Sequence, residues 1–428
     1  MRALLTRRGV RVRTASLLTV VMVSTIAACD GDPESATVTT SAPTTTTTVA
    51  PRLDDGVLRL GAFLPRSGPG AELGERMIAA VQDAVIQINA AGGVLGNAVS
   101  LTVVDENSAL SPLRSLIASG VDAIIGPASS TVALAQLDLA VQADSGVVTC
   151  SPSATALALD DYPDNKLFFR TVPSDSLQMA AIVRRAQQTG VDSVAVGYLD
   201  DPYGRALADA FVAEAEARGT LEIGARVGFQ AGDPSLDVTT FGDAATDLLE
   251  SGAGVVVVLG DADTGSRMLK ALDEAAGDDP PEVIINDAIR DAHQTIQTLS
   301  AAFKANLSGV APFPSSFDFD GPAGFFSAHA VDCVNLIALA AVQAQSDSPA
   351  KIQANMAAVS DGGRVCDSFA DCSNKLLEGL RIDYNGLSGS VELSTITGDV
   401  TRGWFEVFGF NADGIDQPID GAPRFEVP

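Results

Sequence analysis

The feature that most constrains the fold is a strand–loop–helix unit that recurs between Leu58 and Thr155. The strand VLRLGAFL runs through the loop PRSGPG into a long helix, and the strand AVSLTVV follows the turn AAGGVLGN. The short strands DAIIG and VVTC then lead into the loops PASST and SPSAT. Alternation of this kind predicts a parallel sheet covered by helices. Ligands of such sheets bind where strands end and helices begin, so we expect a small-molecule site at these hydroxyl-rich loops.

The same alternation continues through a second segment of the chain. The runs SVAVGYL, GVVVVLG and EVIIND are nearly continuous in apolar residues, which is typical of buried parallel strands flanked by helices. In the first segment, the helix predicted from Glu75 to Ala91 carries Met77, Val81 and Ile88 on one apolar stripe. These patterns predict an α/β protein with two lobes.

We expect the chain to cross between these lobes three times, near 172, 307 and 385. Lobe one is assigned to residues 54–172 and 308–385, and lobe two to residues 173–307 and 386–428. Crossings between two lobes form a hinge, and a hinge allows the cleft between them to close on a ligand.

Residues 1–28 predict an export signal rather than a part of the fold. A basic stretch precedes an apolar run from Leu17 to Ala28, which is shorter than the roughly 20 residues of a membrane span. The run ends in Ile26-Ala27-Ala28-Cys29, which resembles the lipobox of bacterial lipoproteins and implies cleavage before Cys29 and acylation of that residue. An ordinary secretory signal is the alternative. Either signal exports the protein.

Residues 29–53 are expected to form a disordered stalk behind the acylated cysteine. The segment PESATVTTSAPTTTTTVAP has almost nothing apolar to bury. We therefore expect a protein that is lipid-anchored to the outer face of the cell membrane and touches the membrane through its anchor alone.

The chain is strongly acidic, with Lys+Arg 27 against Asp+Glu 54 and a formal net charge of −27. Such a surface repels nucleic acid and anionic lipid, so neither is expected as a partner. The charge by itself does not identify a ligand.

Four cysteines remain once Cys29 is assigned to the lipid. Cys366 and Cys372 close a short polar loop and predict a disulfide in an oxidising compartment. Cys150 ends an apolar strand and Cys333 lies on an apolar helix face, so either a second disulfide or two buried thiols is compatible with the sequence.

Several segments, taken in order, resemble the type I periplasmic solute-binding proteins. They are LGAFLPRSGPGAELGERM, INAAGGVLGNAVSLTVVDEN, DAIIGPASS, VVTCSPSAT, FFRTVPSDSLQ, DDPYG and LSGSVELS. The likeness extends from Leu58 to Asp413 and is greatest to the branch that binds leucine, isoleucine and valine for ATP-driven importers. It implies two Rossmann-like lobes joined by three strands, with the ligand enclosed between them as in a clamshell. It also implies that hydroxyls and amides of lobe one hold an α-amino acid backbone, while an acid of lobe two meets the ammonium group.

Lobe one supplies five candidate ligand-binding residues. Ser129 and Ser130 open a helix, where serines ordinarily cap free N–H groups, but the same geometry suits a carboxylate. Ser153, Ala154 and Thr155 leave the next strand, where small residues also make ordinary loops. The resemblance implies that the first pair binds the ligand carboxylate and that the other three supply a carbonyl and a hydroxyl to its polar groups.

Lobe two supplies Tyr203 and Asp287. A proline at the first helical position already explains the turn before Tyr203, but the resemblance implies a ligand contact for this tyrosine. Asp287 follows the strand EVIIN, and it is either a helix cap or the carboxylate that neutralises a bound ammonium group. Asn286 takes that role if the register shifts by one residue.

Two positions depart from the branched-chain pattern. Leu73 and Asp261 fall where those binders carry aromatic residues, and Asp263 lies close to Asp261. Burying an unpaired carboxylate beside an aliphatic side chain is unfavourable by several kcal/mol. We therefore hypothesise a polar or cationic ligand, with Asp261 near its side chain.

The sequence offers little support for catalysis. His293 and His329 are its only histidines, and no nucleotide-binding G-x-x-x-x-G-K-[ST] loop is present. The segment SFDFDG resembles the start of a calcium-binding loop, but Ser327 stands at the twelfth position of that loop, where a glutamate is required. We expect no enzyme activity, no cofactor and no metal.

The expected function is that of a monomeric solute-binding lipoprotein. It would bind a small polar solute, an amino acid or a related amine or amide, and deliver it to the membrane permease of an ABC importer. A ligand-sensing co-receptor for a separate signalling protein is the alternative, because the same clamshell serves in receptors. Sensor domains commonly precede a membrane helix or a signalling domain, whereas this sequence reaches Pro428 soon after the predicted fold, which favours the carrier.

Overall fold

The computed structural model describes residues 54–68, 70–108, 110–141, 146–219, 221–230, 239–314, 326–419 and 424–428. The predicted signal, the lipidation site Cys29 and the stalk lie outside the described residues.

Lobe one is built on a five-stranded parallel sheet. Its strands are β1 (Arg59–Leu64), β2 (Ser100–Asp105), β3 (Ala123–Ile125), β4 (Val148–Ser151) and β5 (Phe168–Arg170). They lie in the order β2-β1-β3-β4-β5. Because the strands are parallel, their carboxyl ends share one edge, and the loops PASST and SPSAT begin at that edge.

Helices cover both faces of this sheet. In chain order they are α1 (Ala71–Ala90), α2 (Ser111–Ala118), α3 (Ser130–Gln136) and α4 (Asp138–Val141), followed much later by α11 (Ser327–Ala344), α12 (Pro349–Asn355) and α13 (Phe369–Leu377). Helix α1 begins four residues before the predicted start at Glu75, and its apolar stripe is buried as expected. Together α1 and α11 form the core of one face, whereas α2 to α4 cover the other.

Lobe two contains an eight-stranded mixed sheet. Its strands are β6 (Ser193–Leu199), β7 (Glu222–Phe229), β8 (Val255–Leu259), β9 (Glu282–Asn286), β10 (Leu307–Pro312), β14 (Gly403–Phe410), β15 (Asp416–Pro418) and β16 (Phe425–Val427). Strands β6 to β10 are parallel, whereas β14 pairs antiparallel with β10, β15 and β16. The predicted runs of Val and Ile are the buried central strands β6, β8 and β9.

The helices of lobe two also lie on both faces of its sheet. They are α5 (Asp175–Gln188), α6 (Pro202–Arg218), α7 (Thr239–Glu250), α8 (Ala262–Ala276), α9 (His293–Gln297) and α10 (Ala301–Ala305). Short 3₁₀ turns occur at Leu157–Leu159, Asp287–Ile289 and Ala357–Val359. A small sheet of β11 (Arg364–Cys366), β12 (Ile382–Gly386) and β13 (Gly389–Ser390) packs on α11 in lobe one.

Helix α11 is the central helix of lobe one. By length and composition alone it could cross a membrane, but 89% of its 18-residue window is buried inside the protein. Its carboxylate Asp332 accepts hydrogen bonds from the Tyr384 hydroxyl at 2.8 Å and from the Ser388 N–H and hydroxyl at 2.8 and 2.6 Å. These bonds satisfy the buried charge and fix the turn between β12 and β13 to the helix.

Two disulfides lie within lobe one. The predicted bond between Cys366 and Cys372 is confirmed. Cys150 and Cys333, which the sequence left open, are also bonded and tie the end of β4 to α11.

The chain passes between the lobes three times, from β5 to α5, from β10 to α11 and from β13 to β14. Arg170, the last residue of β5, is fully buried at this hinge. Its Nε donates to Asp399 at 2.6 Å and its guanidinium donates to Asp160 at 2.5 Å, while loop 154–156 contributes two carbonyl acceptors. Ser174, on the first crossing, donates to the same Asp160 carboxylate at 2.6 Å. One cation thus joins the first and third crossings to a candidate ligand loop.

Replacing Arg170→Met is expected to lower the free energy of unfolding by about 3–5 kcal/mol, because two largely buried carboxylates lose their counter-ion. Urea denaturation measures this change. Arg205→Met is the matched control: its pair with Asp200 is exposed, and surface pairs contribute little to stability. Equal losses in the two variants would contradict a structural role for the hinge cluster.

Candidate functional site

Two adjoining cavities occupy the cleft between the lobes. The smaller, of about 290 Å³, lies on lobe one, and Glu106, Ser129 and Ser153 line it. The larger, of about 620 Å³, runs from α1 in lobe one to the turn at Asp287 in lobe two. Leu73 and Phe326 line both cavities, so the two lie side by side. The combined space suits a small solute held between both lobes.

The loop after β3 brings Ser129 to the smaller cavity. Gly126 shapes this loop with a φ of +115°, and an added Cβ would lie 1.9 Å from the Phe63 carbonyl oxygen. Ser129 caps α3 by accepting a hydrogen bond from the Val132 N–H at 3.4 Å. Its hydroxyl therefore has the ordinary capping role and also lies at the cavity wall.

The loop after β4 is fastened to the loop after β3. Ser130 accepts hydrogen bonds from the N–H groups of Thr155 at 3.1 Å and Ala156 at 3.2 Å. Ser153 donates to the Ala128 carbonyl at 3.0 Å. Ala154 is fully buried and donates its N–H to Ser151 Oγ at 2.9 Å. Hydrogen bonds thus hold the predicted lobe-one residues close together, but only Ser129 and Ser153 line the cavity, and Ala154 is buried.

Glu106 is a cavity residue that the sequence reasoning missed. Its carboxylate accepts the N–H groups of Ala128 at 2.6 Å and Ser129 at 3.1 Å, and only 2% of the residue is exposed. Burial raises the pKa of Glu106 from its usual 4.5 to about 7, although both N–H groups favour the charged form. Its place directly after β2, at the ligand edge of a parallel sheet, is the signal that could have revealed it.

Tyr203 lies in the first turn of α6, which Asp201 caps through the Gly204 N–H at 2.8 Å. The Tyr203 hydroxyl accepts from Asn286 Nδ2 at 3.3 Å. Asn286 is itself fully buried and bonds both the N–H and the carbonyl of Gly260 at 3.1 Å. Burial, followed by the nearby carboxylates, raises the pKa of Tyr203 well above its usual value, so the hydroxyl stays protonated.

Asp287 lines the larger cavity at the carboxyl end of β9. Burial raises its pKa, while the Gln178 side chain and the Ala288 N–H act in the opposite direction.

The neighbouring Asp175, at the start of α5, was also missed by the sequence reasoning. Asp175 is 1% exposed, and its two carboxylate oxygens have no hydrogen-bond partner of normal geometry among the described residues.

The charge of Asp175 is poorly compensated. Burial raises the pKa of Asp175, the charge of Asp287 raises it further, and the Thr155 side chain and Arg170 lower it only in part. In the sequence, Asp175 follows the capping residue Ser174, and an acidic residue at the start of a helix is common. Its burial depends on the packing of the two lobes, which local sequence does not reveal.

Asp261 is placed differently from the other candidates. It is exposed and caps α8, accepting the Thr264 N–H at 2.7 Å. Because Asp261 is exposed, its carboxylate does not disfavour an aliphatic ligand. A polar-ligand hypothesis has to rest on Glu106, Asp175 and Asp287 instead.

Metal binding finds no support in the part of the chain that the structure describes, where no group of three or more His, Cys, Asp or Glu residues could hold an ion.

Comparison with known proteins agrees with this architecture. The sequence matches the periplasmic binding protein family over residues 57–361. The chain therefore belongs to the type I periplasmic binding proteins, a family of solute-binding proteins, as its resemblance predicted. Membership implies an extracytoplasmic location.

Two relatives and one solved structure illustrate the range of similarity. The chemotactic signal transduction system substrate-binding protein BasB of Halobacterium salinarum is 26% identical over 362 residues, which cover 80% of this chain and 84% of BasB. The Leu/Ile/Val-binding protein BraC3 of Rhizobium johnstonii is 31% identical over 171 residues, which cover 39% of this chain and 46% of BraC3. The branched-chain amino acid transporter substrate-binding protein LivJ of Streptococcus pneumoniae, solved in complex with isoleucine, superposes with a TM-score of 0.61 at 21% identity, covering 86% of this chain and 99% of LivJ. The last likeness shows the shared fold.

The raised pKa of Glu106 predicts a pH dependence of stability. The folded state holds this proton up to about pH 7, whereas the unfolded state loses it near 4.5, so the stabilisation from the protonated form is lost as pH rises. The shift corresponds to about 3 kcal/mol. Glu106→Gln should therefore remove a fall of roughly this size in the free energy of unfolding between pH 4.5 and pH 7.5.

Denaturation with urea at several pH values measures this slope. Glu75→Gln, on the exposed side of α1, is the matched control and should leave the slope unchanged. A Glu106→Gln slope equal to that of the wild type would contradict the raised pKa.

Proposed function

We propose that this protein binds a small amine-bearing solute, an amino acid or a related amine or amide, between its lobes. It delivers that solute to the permease of an ABC importer. The proposal is based on the chemical difference between the two sides of the cleft, hydroxyls on lobe one and carboxylates on lobe two. Lobe one presents the hydroxyls of Ser129 and Ser153, and lobe two presents Asp287, whose charge acts on the buried Asp175 and on Tyr203.

The two lobe-two carboxylates favour an ammonium ligand. The charge of Asp287 raises the pKa of Asp175, so the pair is difficult to ionise without a cation. An ammonium group between them supplies the missing positive charge and donates hydrogen bonds to both, and charge-assisted bonds of this kind are strong where water is excluded.

Binding and closure then form one mechanism. In the open state the solute rests on the surface of Ser129, Ser153 and Thr155. Closure at the hinge brings Tyr203 and Asp287 onto it. Because the lobe-two contacts exist only after closure, the ligand shifts the population towards the closed form. The closed form is the species that docks on the permease.

The proposal includes a membrane anchor. Family membership implies an extracytoplasmic location, and the lipobox-like sequence before Cys29 supports acylation of that cysteine. A threonine-rich stalk would then tether the two lobes to the outer face of the membrane, where a permease is within reach.

Asp287→Asn should weaken binding of an amine-bearing solute by about 1.5–3 kcal/mol, because a charged acceptor is replaced by a neutral one. A thermal-shift screen of amino acids, polyamines, amides and sugars identifies the solute, and isothermal titration measures its affinity. Asp247→Asn, exposed on α7, is the matched control. Equal affinities of wild type and Asp287→Asn would remove this carboxylate from the site.

A sensory role is the second candidate, and the match to BasB favours it, because BasB is described as part of a chemotactic signal transduction system. Deletion of the chain in its own cell distinguishes the two roles. Loss of uptake of the labelled solute supports the carrier. Unchanged uptake with loss of a behavioural response to the solute supports the co-receptor.

A further inference from the structure

Six main-chain N–H groups of the lobe-one loops already donate within the protein. Those of Ala128 and Ser129 bond the Glu106 carboxylate, and those of Ser153 and Ala154 bond Ser151 Oγ. The remaining two, from residues 155 and 156, bond Ser130 Oγ. Main-chain N–H groups at the carboxyl edge of a parallel sheet are the donors that an anionic ligand group would need. In this protein side chains of the same lobe occupy them.

Glu106 moreover places a carboxyl group, whose ionised form a neighbouring cation would favour, where a ligand carboxylate would rest. It lines the same 290 Å³ cavity as Ser129 and Ser153. A second carboxylate in that cavity would be repelled by the first, since like charges this close disfavour each other's ionised form. A carboxylate ion has room for about four hydrogen bonds, and the two main-chain N–H groups leave capacity for a cationic donor.

The cationic side chains of the larger cavity are also engaged. Arg290 pairs with Glu406 at 2.9 Å and with Asp416 at 2.6 Å, and Arg76 pairs with Glu72 at 2.6 Å. The two carboxylates around Arg290 leave it little positive charge for a ligand carboxylate, whereas the pair of Arg76 with Glu72 is solvent-exposed and weaker. Asp175 and Asp287 add negative charge from lobe two, and the buried oxygens of Asp175 lack partners among the described residues.

We propose that the ligand is a cation without a free carboxylate: a primary amine, a diamine or an amidated amino acid. Glu106 binds one amino group from lobe one, and Asp175 and Asp287 bind an amino group from lobe two. The inference rests on the proposed function and narrows its substrate class.

The test compares amino acids with their decarboxylated counterparts, titrated calorimetrically into the purified protein. The pairs are L-arginine with agmatine, L-lysine with cadaverine, and L-ornithine with putrescine. At least one amine should bind tenfold or more tightly than its parent amino acid. Parents that bind as tightly as the amines would overturn the inference and leave the proposed function standing. If neither set binds but a solute of the broader panel that carries a free carboxylate or no amino group does, the inference is overturned. If the whole panel fails, the proposed function itself is overturned.

Glu106→Gln separates ligand recognition from loop support. The variant should lose about tenfold or more in affinity for the best amine and much less for the parent amino acid. Glu75→Gln should change neither affinity. An equal loss for both members of a pair would show that Glu106 only holds the loop and would overturn its role as a ligand contact. The wild-type comparison remains decisive even if the variant does not fold.

Discussion

The buried guanidinium of Arg170 is the interaction on which the architecture depends. It stands at the end of β5, where the chain leaves lobe one, and its partners Asp160 and Asp399 come from segments far apart in the sequence. A charge this deep in the protein persists only if it is paired and hydrogen-bonded. The requirement therefore fixes the first crossing, the third crossing and the carbonyls of loop 154–156 relative to one another. The ion pairs and hydrogen bonds of Arg170 therefore hold both the hinge and one wall of the cleft.

The cleft shows the opposite arrangement. Whereas Arg170 is neutralised within the fold, the carboxyl groups of Glu106, Asp175 and Asp287 have raised pKa values because burial outweighs the groups that favour their charged forms. A binding site can retain charged groups that lack a partner in the free protein, because a ligand of opposite charge supplies that partner when it binds.

Much of the fold was predictable because it depends on local pattern. The strands β6, β8 and β9 are runs of Val and Ile, and the loops after β3 and β4 carry the serines that mark a ligand edge. The bond between Cys150 and Cys333 was undecided because it joins residues separated by 183 positions.

The candidate site was predicted less completely. Ser129, Ser153 and Asp287 lie where local signals placed them, at the cavity walls. Asp175 and Glu106 were missed because their burial arises from packing between distant segments, and each looks like an ordinary polar residue at the end of a strand or helix. Asp261 was expected to be buried near the ligand, but it is an exposed helix cap. Whether a polar residue is buried depends on tertiary structure, which the local sequence does not show.

The apolar helix at the centre of lobe one has a consequence for the unfolded chain. In the unfolded chain, the α11 segment is a run of 18 residues with a mean hydropathy of 1.3, long and apolar enough to enter a lipid bilayer. Asp332 is the sixth residue of this segment, and an aspartate in a membrane helix disfavours insertion, by about 2.5–3.5 kcal/mol at the helix centre. His329 and Asn335 stand one turn to either side and add to the barrier. The carboxylate that anchors the β12–β13 turn in the folded protein therefore also disfavours membrane insertion of this segment in the unfolded chain.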